Sequence, residues 1–220
     1  MAEQLTFDLP MRTARGRDAF FVSHPNALAL AMLDNTQNWP QGKLLILGPK
    51  GSGKTHLLDI WIGDNNGLLW SPEWDHLPDE SAAVAVDNVD WFARDPDAQT
   101  KLFHLHNYLA ATGGRLLLTS TIPIIQAGFT LPDLTSRLTA TTATRIDAPD
   151  EALIEAVILK HFMDRQIAPS PTVQRYIAQN VDRSFDAVAT VITELDARSM
   201  AGGGKITRAL AAQVIADHAD

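Results

Sequence analysis

"KLLILGPKGSGKTHLL", residues 43–58, decides the fold. After Lys43 the segment opens with the apolar run Leu44 to Leu47, the signature of a short strand buried on both faces. "GPKGSGKT" at 48–55 then fits G-x-x-x-x-G-K-[ST]. Gly48, Gly51 and Gly53 allow successive backbone N–H groups, with Ser52 among them, to turn inward on an anion. Lys54 can reach the β- and γ-phosphates of a nucleotide, and the Thr55 hydroxyl can ligate Mg²⁺. "HLLDIWIGDN", which follows, reads as a helix whose positive end points at the same anion. A strand before and a helix after are the context that this motif requires.

Outward from this stretch, short apolar runs alternate with helical ones. "GLLW" at 67–70, "AAVAVDNVD" at 82–90, "RLLLTST" at 115–121 and "TATRI" at 142–146 read as strands. Residues 95–114 read as a helix, with Asp95 as N-cap, Pro96 in its first turn and two glycines at its end. The alternation predicts an α/β fold, a parallel sheet covered on both faces. After residue 149 the pattern becomes helical throughout, with Ser170 and Pro171 opening one helix and a second ending at Gly202. The expected organisation is a tail at 1–17, an α/β nucleotide-binding domain at 18–149 and a small all-helical lid domain at 150–220.

The chain has 220 residues and a formal net charge of -8, so as a whole it is not built to coat nucleic acid. Arg12, Arg15 and Arg17 make a small basic patch in the tail, read as a solvated lead-in. It has no cysteine, which excludes a disulfide framework and thiolate metal sites. No signal peptide and no membrane-length apolar run is evident, and a soluble cytoplasmic protein is expected.

Asp87 closes the strand "AVAV" and is placed to hold the Mg²⁺ shell beside the P-loop, so Thr55 and Asp87 form the expected metal pair. Many hydrolysing P-loop ATPases carry a glutamate directly after this aspartate. Here that position is Asn88, which cannot act as a base. Asp90 is either a substitute for it or a capping or surface carboxylate. Nucleotide binding is therefore strongly indicated and autonomous hydrolysis weakly. His56, directly after Thr55, is grouped with the nucleotide residues and reads as a packing or hydrogen-bonding side chain. His104 and His106 are two apart on a helix and share no face, so they do not suggest a metal site.

A P-loop α/β core followed by a helical bundle resembles the AAA+ class, and finer signals resemble its DnaA-related family. "GKTHLL" at 53–58 is similar to the family's P-loop exit, and "FFVSHPNALAL" at 20–30 to its segment bordering the adenine. "VDNVD" at 86–90 resembles the D-N-I-E pattern of the Hda branch, the regulatory inactivators of DnaA. "LPDLTSRL" at 131–138 resembles the segment that carries that branch's arginine finger, which implies that role for Arg137. "VDRSF" at 181–185 resembles the lid segment carrying the sensor II arginine, which implies Arg183. Two departures stand out. Thr121 occupies a sensor I position where the family usually has aspartate, and residues 71–81, with two prolines, cannot hold the helices that the initiator inserts there to line a channel for single-stranded DNA.

The resemblance also gives a role to "QLTFDL" at 4–9, which is similar to the peptide by which replication proteins dock on the DNA polymerase III β sliding clamp. Gln4 would bond at the groove's mouth, and Leu5, Phe7 and Leu9 would be the apolar anchors. The implied function is an AAA+ adapter that binds ADP or ATP with Mg²⁺, docks on the clamp and offers Arg137 to ATP-bound DnaA. DnaA's ATP would then be hydrolysed and re-initiation of replication repressed. Contact with DNA would be mainly indirect, through the clamp, no membrane partner is expected, and self-association is compatible with the class. The competing readings are a helicase-loader or DnaA-paralogue ATPase acting on DNA and, further off, a small-molecule P-loop kinase.

Overall fold

The computed structural model describes residues 20–201 and 205–218. Strands β1 (Lys43–Leu47), β2 (Leu68–Leu69), β3 (Ala83–Val86), β4 (Arg115–Ser120) and β5 (Ala143–Arg145) form one sheet in the order β2-β3-β4-β1-β5. Every neighbouring pair is parallel. The order places β1, and the loop that leaves it, between β4 and β5. Register does the rest. Leu47 lies opposite Ser120, and Val86 opposite Leu118, so the residue after β3 comes level with Thr119.

Both faces of the sheet are apolar and both are covered. Leu44, Ile46, Leu117 and Ala85 pack with Leu58 and Trp61 of helix α2 (Lys54–Asn65), under α1 (His24–Asp34). Leu45, Val84, Leu116 and Leu118 pack with Leu105 of α3 (Pro96–Thr112) and Leu134 of α5 (Pro132–Ala140), which follows the short α4 (Ile124–Ala127). Burial of each leucine, isoleucine or valine side chain among these contributes about 1.5–3 kcal/mol before entropy costs. Helix α3 is capped as expected, because the Asp95 carboxylate accepts from the N–H groups of Asp97 and Ala98. Residues 71–81 contain no helix, in keeping with the two prolines.

Helices α6 (Glu151–Asp164), α7 (Pro171–Asn180), α8 (Phe185–Ala201) and α9 (Arg208–Asp217) form a second cluster around Phe162, Ile177, Ile192 and Val214. No strand follows Arg145 among the described residues. No helix among them is long and apolar enough to cross a membrane. Gln4, Leu5, Phe7 and Leu9, with the tail arginines and Gly202, lie outside the described residues.

One buried polar pair has a consequence for acid stability. Lys43, 2% exposed, places Nζ 3.3 Å from His106 Nδ1. Burial, with the positive charges of Lys43 and Arg137 beside it, pushes His106 down to about 4. The ring is therefore neutral, and Nδ1 accepts from the lysine ammonium. In the unfolded chain a histidine takes up a proton near pH 6.5. Between that pH and about 4 the unfolded state binds more protons, so stability falls as pH falls. We expect His106→Gln to remove about 1–2 kcal/mol of the stability lost across this window. Melting curves at pH 7 and pH 4.5 test this, and an equal drop in both proteins would refute it. His161, also lowered mainly by burial, acts in the same direction and stays in both.

Candidate nucleotide site

The loop after β1 is held at two points in a left-handed backbone shape that favours glycine. Gly51 has φ +71° and Gly53 has φ +95°. The lid closes on the same two residues. A Cβ on Gly51 would stand 2.5 Å from Ser184 Cβ, and one on Gly53 would stand 2.9 Å from the Phe185 ring. The Phe185 N–H donates to the Gly51 carbonyl at 2.9 Å. The start of α8 is thus fastened directly to the loop.

Lys54 begins α2 and is buried. Its ammonium donates to the carbonyls of Gly48 and Pro49 at 2.8 and 2.9 Å. Burial lowers its pKa, while Asp87, Asp90 and Asp186 pull it back up. Ser52 is 2% exposed and its hydroxyl has no hydrogen-bond partner. A buried hydroxyl without a partner costs about 1–3 kcal/mol, and an anion in the loop would satisfy it. First-turn N–H groups of α2, which no helical carbonyl can reach, point the same way. By these observations the loop fits a phosphate group.

The metal side is assembled by register. Thr55 donates from Oγ1 to Asp87 Oδ2 at 2.9 Å. The other carboxylate oxygen accepts from the Asn88 N–H at 3.1 Å and from the Thr119 hydroxyl in a short bond. Asn88 N–H also reaches Thr119 Oγ1 at 2.8 Å. Two oxygen donors on rigid elements, with phosphate oxygens and water to complete the shell, suit Mg²⁺. The fold is accordingly one able to bind ATP or ADP with Mg²⁺. Thr119 is fully buried and absent from the sequence reading, although a polar pair closing the apolar run of β4 was a visible signal. Asp90 accepts from the Thr121 N–H at 3.2 Å, so those two positions are tied together at the rim.

A cleft of about 670 Å³ joins these parts, lined among others by Lys54, Thr55, Asn88, Asp90 and Thr121. Its size suits a nucleotide. Its apolar side comes from Phe20, Phe21, Leu153 and Val157, with His56 in an edge-to-face contact with Phe20 at 5.3 Å. Other expected site residues lie elsewhere. Arg137 is exposed in the last turn of α5, its guanidinium 5.3 Å from the centre of the Phe103 ring, and it does not line the cleft. Arg183 is exposed between α7 and α8 and also lies outside the cleft's lining, whereas Asp186, one residue into α8, belongs to it. No arginine lines the cleft among the described residues. The clamp-type residues are outside the described part of the chain.

No protein-family model matches the sequence. Solved structures do resemble it. Domain III of the Thermotoga maritima replication initiation protein DnaA is similar with a TM-score of 0.80 at 19% identity, over 95% of this chain and 98% of that one. AMPPCP-bound DnaA from Aquifex aeolicus is similar with a TM-score of 0.68 at 17% identity, over 84% of this chain and 66% of that one. A Walker-type ATPase of Pyrococcus abyssi is similar with a TM-score of 0.68 at 13% identity, over 95% of this chain and 75% of that one. At these identities the likeness is one of fold. The architecture they share with this chain, a parallel sheet with a P-loop-like turn followed by a helical bundle, matches the AAA+ fold.

Proposed function

We propose that this chain is a DnaA-related AAA+ adapter that keeps a nucleotide bound and offers Arg137 to the ATP of a second AAA+ protein, with DnaA the candidate. The position of Arg137 carries the reading. A fixed guanidinium stabilises charge on a γ-phosphoryl group only within contact distance. Arg137 is exposed, steadied over the Phe103 ring and outside its own cleft, so another molecule's nucleotide is its natural target. Asn88, standing where a base is common, argues that this chain holds its nucleotide more than it turns it over. Within the cleft, Lys54 and Ser52 would hold phosphate, and Thr55 and Asp87 would hold Mg²⁺, whose role there is to neutralise phosphate charge. The test is DnaA's ATP hydrolysis with and without this protein and the DNA-loaded clamp. No stimulation at any concentration would sink the reading.

"QLTFDL" completes the proposal by supplying the clamp tether. Burying Leu5, Phe7 and Leu9 would yield about 1.5–3 kcal/mol each, much of it offset by ordering the segment, for a contact of roughly micromolar affinity. Bridging to DnaA would raise its effect through effective concentration. Replacing Gln4, Leu5 and Phe7 with Ala should abolish clamp binding and leave the melting temperature unchanged. A clear drop in melting temperature would instead identify the segment as part of the protein's own sheet.

A further inference from the structure

We propose that Lys43 is a second cation behind Arg137: a buried ammonium with no carboxylate to balance it, it raises the positive potential at the exposed guanidinium and so strengthens the action of Arg137 on a partner's polyphosphate without touching it. This rests on the trans role of Arg137 proposed above and adds a positioning residue that acts through it. Lys43 opens β1 and faces the same side of the sheet as Leu45 and Leu116, toward α3 and α5. Helix α3 meets it with His106, whose Nδ1 lies 3.3 Å from the lysine Nζ. Phe103, one turn earlier on the same face of α3, is the ring that lies 5.3 Å from the Arg137 guanidinium. The two cations are thus held by neighbouring side chains of one helix.

A lysine that is 2% exposed is ordinarily paired with an acid. Here the neutral His106 ring accepts its hydrogen bond but returns no charge. Among the described residues no carboxylate forms an ion pair with Lys43 or with Arg137, not even Asp133, one turn before Arg137 on α5. Arg115, beside Lys43 at the start of β4, alternates to the other face and donates to Gln37 Oε1 at 2.8 Å. The charge of Arg137 is felt at both Lys43 and His106. Coulomb interaction is reciprocal, so the charge of Lys43 is felt as strongly at Arg137. Burial, with Arg137 beside it, lowers Lys43 to about 8, which leaves it mostly charged at neutral pH. Two cations without a counter-charge, in a chain of net charge -8, make a place that a multiply charged anion relieves.

The test is stimulation of DnaA's ATP hydrolysis by the full-length, nucleotide-loaded protein on the DNA-loaded clamp. Lys43→Met and Lys43→Gln both remove the charge, and the glutamine keeps a donor for His106. Each should lower stimulation by about threefold to tenfold near pH 7, the scale of one charge acting over a partly screened distance. Nucleotide retention should not change, because Lys43 is remote from the cleft's lining. The ratio of wild type to either variant should fall toward one by about pH 9, since Lys43 loses its proton near pH 8. A role in packing alone would give a ratio indifferent to pH. Should neither variant fold, the wild type decides: its stimulation, taken over DnaA's own rate at each pH, should drop by the same factor between about pH 7 and about pH 9. Wild-type stimulation by both neutral variants, a ratio constant across this range, or a flat wild-type profile would overturn the proposal while leaving Arg137 in its role. No stimulation by the wild type at any pH would overturn the role of Arg137 itself, and this inference with it.

Discussion

Lys54→Ala should purify without nucleotide, with affinity for ADP reduced by at least about a hundredfold. Two charge-assisted hydrogen bonds to phosphate, each contributing about 1.5–3 kcal/mol, account for that scale. The side chain is buried at the head of α2, and its ammonium rests between the Gly48 and Pro49 carbonyls. Truncation therefore leaves two loop carbonyls without their donor and the phosphates without their cation. The sheet core lies below this point, so the melting temperature of the nucleotide-free proteins should differ by only a few degrees. Mass analysis of the released nucleotide decides the matter. A variant that still carries one equivalent would mean that the phosphates sit elsewhere.

Arg137→Ala should leave the protein folded, nucleotide-loaded and able to bind the clamp, yet unable to stimulate DnaA's ATP hydrolysis. A guanidinium supplied in trans is worth roughly 10³–10⁵ in rate. The separation of effects follows from position, because Arg137 is exposed on α5 and takes no part in the cleft. Arg137→Lys should rescue little, since an ammonium cannot reproduce the planar fork. Full stimulation by the Ala variant would transfer the role to another arginine. Arg145 would be the next to change, because it is exposed at the end of β5, beside Gly48 and Pro49.

The parts of the fold that were legible in the sequence are those with a strong local signal. The strands are short and wholly apolar because both faces are buried, and the loop at 48–55 is constrained at almost every position. Asp95 and Gly113 punctuated α3 as such residues do. Helices α1, α4 and α5 carry weaker signals: α4 has 4 residues and α5 has 9, too few to show a period. Across the site, the pairing of Asp87 with Thr55 could be anticipated from motif order, whereas that of Asp87 with Thr119 depends on strand register, which no local pattern encodes. The lid shows the same limit more sharply. Between Asp182 and Asp186 the chain passes from a bend into a helix, and which side chain faces the cleft depends on where the first turn begins. Arg183, which the resemblance singles out, is exposed in that bend, and Asp186 of the first turn lines the cleft.

The bond between the Phe185 N–H and the Gly51 carbonyl has a kinetic meaning. A loop clasped by a neighbouring helix cannot reshape itself alone. For a nucleotide held there, any reshaping of the loop would carry the start of α8 with it, a collective motion of microseconds to seconds. Dwell time is then governed by packing around Ser184 and Phe185 as much as by affinity at the phosphates. Substitutions there would alter how long the protein remembers its last nucleotide without touching the nucleotide itself.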